Sequence, residues 1–168
     1  MLVFFDIMKR KIIIVNEQDE IVGHKDRDDV QTEIYRVSAL WITNSKGEIL
    51  LARRAFTKSH SPGKWGPAVA GTVEDGETYE SNIVKEAEEE LGLTGITFVK
   101  DRKELRRTQW RYFCQWFTAV VDKDISDFTI NKDEVAEIRW FSVQELRNDV
   151  KKDPEQFLVS VREILSTP

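Results

Sequence analysis

Along most of the chain apolar and polar residues alternate in short runs, switching to a helical period in the middle and again near the end. Residues 11–15 and 21–24 flank a polar turn carrying Asn16, Gln18 and Asp19, which predicts an N-terminal β-hairpin over about 11–24. Residues 35–43, rich in aromatic and β-branched side chains, lead through Asn44-Ser45-Lys46-Gly47 into 48–53, the pattern of two paired core strands. A loop over 55–66 with Ser61-Pro62-Gly63 follows, then a short apolar stretch, 67–73, broken by Gly71. Within 78–91, Ile83, Val84, Ala87 and Leu91 mark one stripe of a helix, and Gly92 stands where a left-handed cap would end it. Further strands are expected at 96–99, 111–121 and 135–141.

Two helices should close the chain. Ser142 with Glu145 three residues on predicts a capping box, and Asp153-Pro154 predicts an N-cap and first-turn proline for a last helix over about 154–166. Strands before, between and after helices predict a layered α/β or α+β fold, a mixed sheet covered on both faces. No repeat or long linker divides the chain, so a single domain over 1–168 is expected, with its core at about 35–150.

Composition narrows the classes. With 168 residues and 40% hydrophobic content the chain is long and apolar enough for a buried core. One cysteine (Cys114) and two histidines (His24, His60) exclude a disulfide framework and a closed four-ligand Cys/His zinc site, so any metal must lean on oxygen. No apolar run is long enough to span a membrane, and the apolar start at 1–8 lacks a preceding basic region and a small-residue cleavage site. On these grounds we expect a cytoplasmic protein with no membrane partner. Cys114, amid Tyr112, Phe113 and Trp116, reads as a buried small hydrophobe, and neither histidine has a partnered serine or cysteine around it.

Charge changes the picture more. The net charge of -5 argues against coating of long nucleic acids. Residues 71–90, however, carry eight acids and one base, whereas 51–70 carry Arg53, Arg54, Lys58 and Lys64 and no acid. Such segregation is most often a solvated helix face beside a basic loop. Here Glu86, Glu89 and Glu90 stand at i, i+3 and i+4 on one helix face, a repulsive arrangement costing a few tenths of a kcal/mol per pair. Carboxylates clustered without cysteine or histidine form a hard-oxygen site suited to Mg²⁺ or Mn²⁺, with metal binding strongest above neutral pH.

The frame around them is Gly71, five residues, Glu77, seven residues, Lys85-Glu86, then Glu89-Glu90 and Gly92. It resembles the Nudix box, and Leu51-Ala52-Arg53-Arg54, Ser61-Pro62-Gly63-Lys64-Trp65 and Arg139-Trp140-Phe141 extend the likeness over roughly 35–150. The resemblance implies a Nudix-like α/β/α sandwich and a hydrolase in which a metal-activated water attacks phosphorus in a small diphosphate, nucleotide-related substrate. It implies Glu86 and Glu90 as principal metal ligands, Glu89 assisting as ligand or base, a backbone carbonyl near Ala70 and Gly71 completing the shell, and Glu86 as the preferred base, with Lys85 beside it. Two positions depart from the family pattern. Lys85 replaces the arginine that orients the neighbouring glutamate, which implies a looser hold on Glu86 and lower activity, and Ala87 replaces a larger aliphatic residue.

Substrate contacts are expected from the basic segment. Strand alternation lets one of Arg53 and Arg54 face the site; Lys64 lies on the adjacent loop, and Trp65 either stacks on a base or plugs the core edge. Arg106, Arg107 and Arg111 with Trp110 form a second basic and aromatic group, either a nucleotide surface or a solvated strand edge. The hairpin ahead of Tyr35-Arg36 is similar to the subgroup containing type I isopentenyl-diphosphate isomerases. That activity requires a cysteine just before the helix box and histidine metal ligands; residues 67–71 are Pro-Ala-Val-Ala-Gly and position 35 is tyrosine. A hydrolase is therefore preferred over an isomerase or a domain that binds without turnover. Oligomeric state is left open, a homodimer included.

Overall fold

The computed structural model describes residues 10–166; the apolar start at 1–8 lies outside them. Strands β1 (Lys11–Val15) and β2 (Ile21–Asp26) form the expected antiparallel hairpin. Asn16 makes its turn, its Oδ1 accepting from the backbone N–H of Gln18 (2.9 Å) and Glu20 (3.0 Å). Asp19 takes a left-handed backbone there, with φ 63°.

The centre is β3 (Ile34–Thr43), which pairs antiparallel with β1 and lies parallel to β8 (Arg111–Val120) along its whole length. Strand β4 (Ile49–Arg54) meets β3 only at Ile42↔Leu50 and Thr43↔Ile49. It then leaves to pair with β5 (Trp65–Pro67) and β9 (Val135–Phe141), and β6 (Val69–Thr72) takes its place on β3. The sheet thus splays into two wings. Between them opens a cleft of about 450 Å³, with Val37 and Ala39 of β3 on one wall and Ala52, Arg53 and Arg54 of β4 on the other.

Helix α1 (Tyr79–Leu91) covers one sheet face, burying Ile83, Ala87 and Leu91 against Leu40, Leu50 and Val69. Alternation along β4 sends Leu50 and Ala52 to that core and Ile49 and Leu51 to the opposite one, where Leu146 of α2 (Val143–Lys152) and Val161 of α3 (Val159–Ser166) pack. The result is the α+β sandwich, a mixed sheet between helices.

Several local expectations need correction. Val84 is 54% exposed, because Tyr79, Ile83, Ala87 and Leu91 at spacing four already fill the buried stripe. The strand expected at 96–99 is instead β7 (Val99–Arg107), while Ile96 and Phe98 pack on the core ahead of it. Among the described residues strand β7 pairs only with β8, so its charged side chains give no apolar alternation to read. Part of the loop expected over 55–66 is strand, since Trp65 pairs with Arg53. The last helix is split into a 3₁₀ turn, Pro154–Gln156, and α3, and Asp153 makes no side-chain cap bond. Ser142 Oγ accepts from Glu145 N (3.1 Å), but the Glu145 carboxylate turns to Arg139 instead of completing the box.

Candidate active site

Helix α1 starts on a reciprocal box that sequence reading missed, because its third residue is serine. Ser81 N donates to Thr78 Oγ1 (3.1 Å) and Thr78 N to Ser81 Oγ (2.9 Å). At the other end Gly92 adopts φ 61°, its N–H donating to Glu88 O (2.9 Å), as expected of a left-handed cap. The helix is thereby fixed at both ends with its acidic face toward the cleft.

The spacing of the box residues has a mechanical cause. Glu77, in the loop before α1, accepts from Glu74 N (2.9 Å) and Asn82 Nδ2 (2.9 Å) and pairs with Lys85 Nζ (2.6 Å). Lys85 Nζ also reaches Glu74 Oε2 (3.2 Å) and Glu86 Oε1 (3.6 Å). Burial alone would raise the Glu77 carboxyl, but the Lys85, Glu74 and Asn82 hydrogen bonds outweigh it and hold it below its ordinary value. Lysine therefore does reach the glutamate beside it, as a point charge shared among three carboxylates. Asn82, fully buried, donates to Thr72 O (3.1 Å) and lies 3.4 Å from Glu86 Oε1. It was missed because a lone asparagine in a helical stripe carries no distinct pattern.

Gly71, on β6 opposite Ser38, is the floor beneath Glu86. A Cβ there would stand 2.4 Å from Glu86 Cγ and Cδ. Burial and then the neighbouring acids Glu89, Glu77 and Glu74 raise the Glu86 carboxyl, with Lys85 opposing. Glu90, 9% exposed, is pushed well above the ordinary range by burial, then by Glu86 and Glu134, against Lys58 and Arg54. Among the described residues no direct hydrogen bond or ion pair reaches its carboxylate. Glu89 is exposed and borders the same cleft. Among the described residues no three acidic, histidine or cysteine groups converge on one point, so these side chains are a donor set and not a closed shell.

The cationic wall comes from β4 and its loop. A bulge against β9 between Arg53 and Arg54 interrupts alternation, and both residues border the cleft. Arg54 lies in the field of Glu90 and Glu134, with Nε donating to His60 O (3.0 Å). The Arg53 Nε donates to Gly63 O (2.9 Å), and its guanidinium lies over Phe56 and Trp65. Lys58, paired with Glu134, and Arg27 complete this wall, two residues that sequence reading did not single out for the site. Lys64 and Trp65 are not brought to the cleft. Lys64 pairs with Glu155 (3.5 Å), and Trp65, 8% exposed, packs edge-on against Phe141 (5.2 Å), the core-plug alternative. Cys114 is 4% exposed yet borders the cleft, because the parallel β3–β8 pairing sets it beside Val37.

Comparison with known proteins bears on the family and the fold. The NUDIX domain family model matches residues 33–160. The chain is 29% identical over 136 residues to the "Uncharacterized Nudix hydrolase YfcD" of Escherichia coli K12, covering 79% of this chain and 74% of that one. It is also 29% identical over 157 residues to an isopentenyl-diphosphate Delta-isomerase of Kocuria rhizophila, covering 88% and 86%. The crystal structure of DR0079 from Deinococcus radiodurans superposes with a TM-score of 0.80 at 25% identity, over 92% of this chain and 96% of that one. Among the described residues no helix is long and apolar enough to cross a membrane.

Proposed function

The chain belongs to the Nudix family, and from that premise we propose that it is a divalent-metal-dependent hydrolase cleaving the diphosphate linkage of a nucleoside diphosphate derivative or a related small diphosphate. The observation that carries this reading is the pairing of two walls across one cleft, Glu86 and Glu90 on one and Arg54 and Lys58 on the other. The donor set fits a hard cation. Glu90 is a buried carboxylate without a direct partner among the described residues, and every acidic donor on α1 presents oxygen. Glu86, Glu90 and Glu89 would hold Mg²⁺ or Mn²⁺. When bound, such an ion supplies Lewis acidity toward water and phosphate oxygens.

The chain's own residues then divide the work. Glu86 takes the proton of the attacking water as its oxygen bonds to phosphorus, and the bridging P–O bond breaks with its electron pair on the leaving phosphate. Lys85 positions Glu86 and Glu77. Arg54, Lys58 and Arg27 face the phosphate charge. The test is a panel of nucleoside diphosphates and triphosphates, dinucleotide polyphosphates, nucleotide sugars and isopentenyl diphosphate, with and without Mg²⁺. Metal-dependent release of phosphate or a nucleoside monophosphate is expected; no cleavage across the panel would overturn the reading.

A second reading has two findings in its favour. Cys114 shares the cleft with the glutamates, and some relatives are isopentenyl-diphosphate isomerases. Deuterium uptake by isopentenyl diphosphate in D₂O, followed by NMR, would establish that activity in place of hydrolysis.

A further inference from the structure

A second hollow of about 440 Å³ adjoins the cleft, within the roughly 300–1,000 Å³ range of small-ligand sites. Arg27, Arg54, Lys58 and Thr72 border both, so three cations form a ridge between the two. Beyond the ridge the lining changes to aromatic. Tyr35, His60 and Trp110 stand there, the last two edge to face with ring centroids 5.3 Å apart. Each comes from a separate element: Tyr35 from β3, His60 from the loop after β4, and Trp110 from the turn joining β7 to β8.

That turn holds Trp110 out of the ladder. Thr108 N donates to Trp110 O (2.9 Å) and Trp110 N to Thr108 Oγ1 (3.1 Å), while Arg107 and Arg111 on either side bind Glu17 (3.2 and 2.7 Å). The ring is half-buried. Among the described residues no hydrogen bond engages the Trp110 indole N–H, the His60 imidazole or the Tyr35 hydroxyl. Asp28 and Ser59 add acceptors at the rim. An aromatic wall with uncommitted donors and acceptors, next to a cationic ridge, matches a planar heterocycle carrying a phosphate chain. The Asp28 carboxylate disfavours phosphate inside the hollow, which places the phosphates on the ridge and the ring beyond it.

We propose that this hollow seats the base of a nucleoside diphosphate, against Trp110 and His60, with its phosphates crossing Arg27, Arg54 and Lys58 toward Glu86 and Glu90. The inference deepens the hydrolase reading and rests on it for the position of the phosphates. It also gives a role to the basic and aromatic group around Trp110, whose arginines are otherwise engaged with acids of the chain: Arg107 and Arg111 with Glu17, Arg106 with Glu163.

The test is calorimetric titration of the full chain, with Mg²⁺, against the α,β-methylene analogues of ADP, GDP, CDP and UDP, and against methylenediphosphonate as a probe without a base. Trp110→Ala should weaken at least one nucleoside analogue by about 5- to 100-fold, the range expected for losing one stacking partner, and methylenediphosphonate by less than about twofold. Trp110→Phe should restore most of the loss. His60→Ala, on a different loop, should weaken the same analogue, and Arg27→Ala should weaken both probe types. Failure of the wild-type chain to bind any of the four analogues overturns the inference, as does equal loss of analogue and methylenediphosphonate in a folded Trp110→Ala. The two readings part cleanly. Cleavage of nucleoside diphosphates with KM unchanged in Trp110→Ala and His60→Ala removes the base seat and leaves the hydrolase, whereas Trp110-dependent analogue binding without cleavage of any diphosphate does the reverse.

Discussion

Gly71 and Glu86 sit so close that no side chain fits between them, a Cβ on residue 71 falling 2.4 Å from Glu86 Cγ. The glycine is therefore required by approach and not by backbone conformation, since its φ is not positive. Gly71→Ala must push Glu86 off its floor or bend β6 away from β3, and overpacking of this kind costs about 1–3 kcal/mol. Turnover should fall by on the order of 10²-fold, the effect of about 1 Å of misplacement at a reacting group. Steady-state kinetics beside thermal unfolding checks this, and unchanged kcat in a folded Gly71→Ala would remove Glu86 from the mechanism.

Glu90 sets function against stability. Its carboxyl is raised, so the folded chain holds the proton more tightly than the unfolded chain does. The sign follows: metal-free stability declines as pH rises above about 4.5 through the raised value, because ionisation leaves a buried charge facing Glu86 and Glu134. Glu90→Gln should melt higher than wild type in EDTA at pH 8, by a margin that shrinks toward pH 5. The same variant should lose activity and most of the stabilisation that Mg²⁺ gives the wild type. A Glu90→Gln chain that melts lower than wild type at pH 8 without metal would contradict the electrostatic account.

What could be read without coordinates was whatever depends on local spacing. Glu77, Lys85 and Glu86 form a mechanical unit within one turn and one helix, so their offsets are written in the sequence. The charged run of β7 was illegible because a strand paired on one side needs no apolar alternation. The nearness of Cys114 to the cleft is illegible in the sequence because chain distance says nothing of the parallel β3–β8 register. Arg53 and Arg54 could not be separated by alternation because a bulge falls between them. Asp19 read only as a turn residue, yet it is the acceptor for three cross-element donors, a relation set entirely by tertiary packing.

That Asp19 group supplies a separate test of stability. Asp19, 6% exposed at its side chain, receives Arg36 Nε (2.7 Å), Lys103 Nζ (2.6 Å) and the Tyr79 hydroxyl (3.1 Å), tying the hairpin to β3, β7 and α1. Burial alone would raise its carboxyl, but the hydrogen bonds and charges of Lys103 and Arg36 hold it below the ordinary value. A lowered pKa contributes stability that is present above about 3.8 and lost as pH falls through the folded value. Asp19→Asn should cost about 1.5–3 kcal/mol at pH 7, mainly the charge-assisted hydrogen bonds from the partly buried Arg36, since Lys103 is exposed, and the gap to wild type should narrow below pH 4. Urea denaturation at pH 7 and pH 2.5 reads both quantities, and a gap of equal size at the two pH values would rule out an ionic origin.

Cys114 separates the two chemistries open to the cleft. Burial first, and then the charge of Glu104, push its thiol up to about 12, so at neutral pH it is protonated and no nucleophile. It packs with Ala39 and Trp116, a setting that tolerates a smaller apolar residue at modest cost. A hydrolase whose base is Glu86 does not need the thiol. Cys114→Ala should keep diphosphate cleavage within about twofold of wild type while Glu86→Gln lowers it by two orders of magnitude or more, in the range typical of a lost general base. A thiol acting as the acid of a proton shift gives the opposite ranking, with Cys114→Ala abolishing deuterium uptake by isopentenyl diphosphate. Assaying both variants on both reactions therefore decides between water attack at phosphorus and proton transfer at carbon.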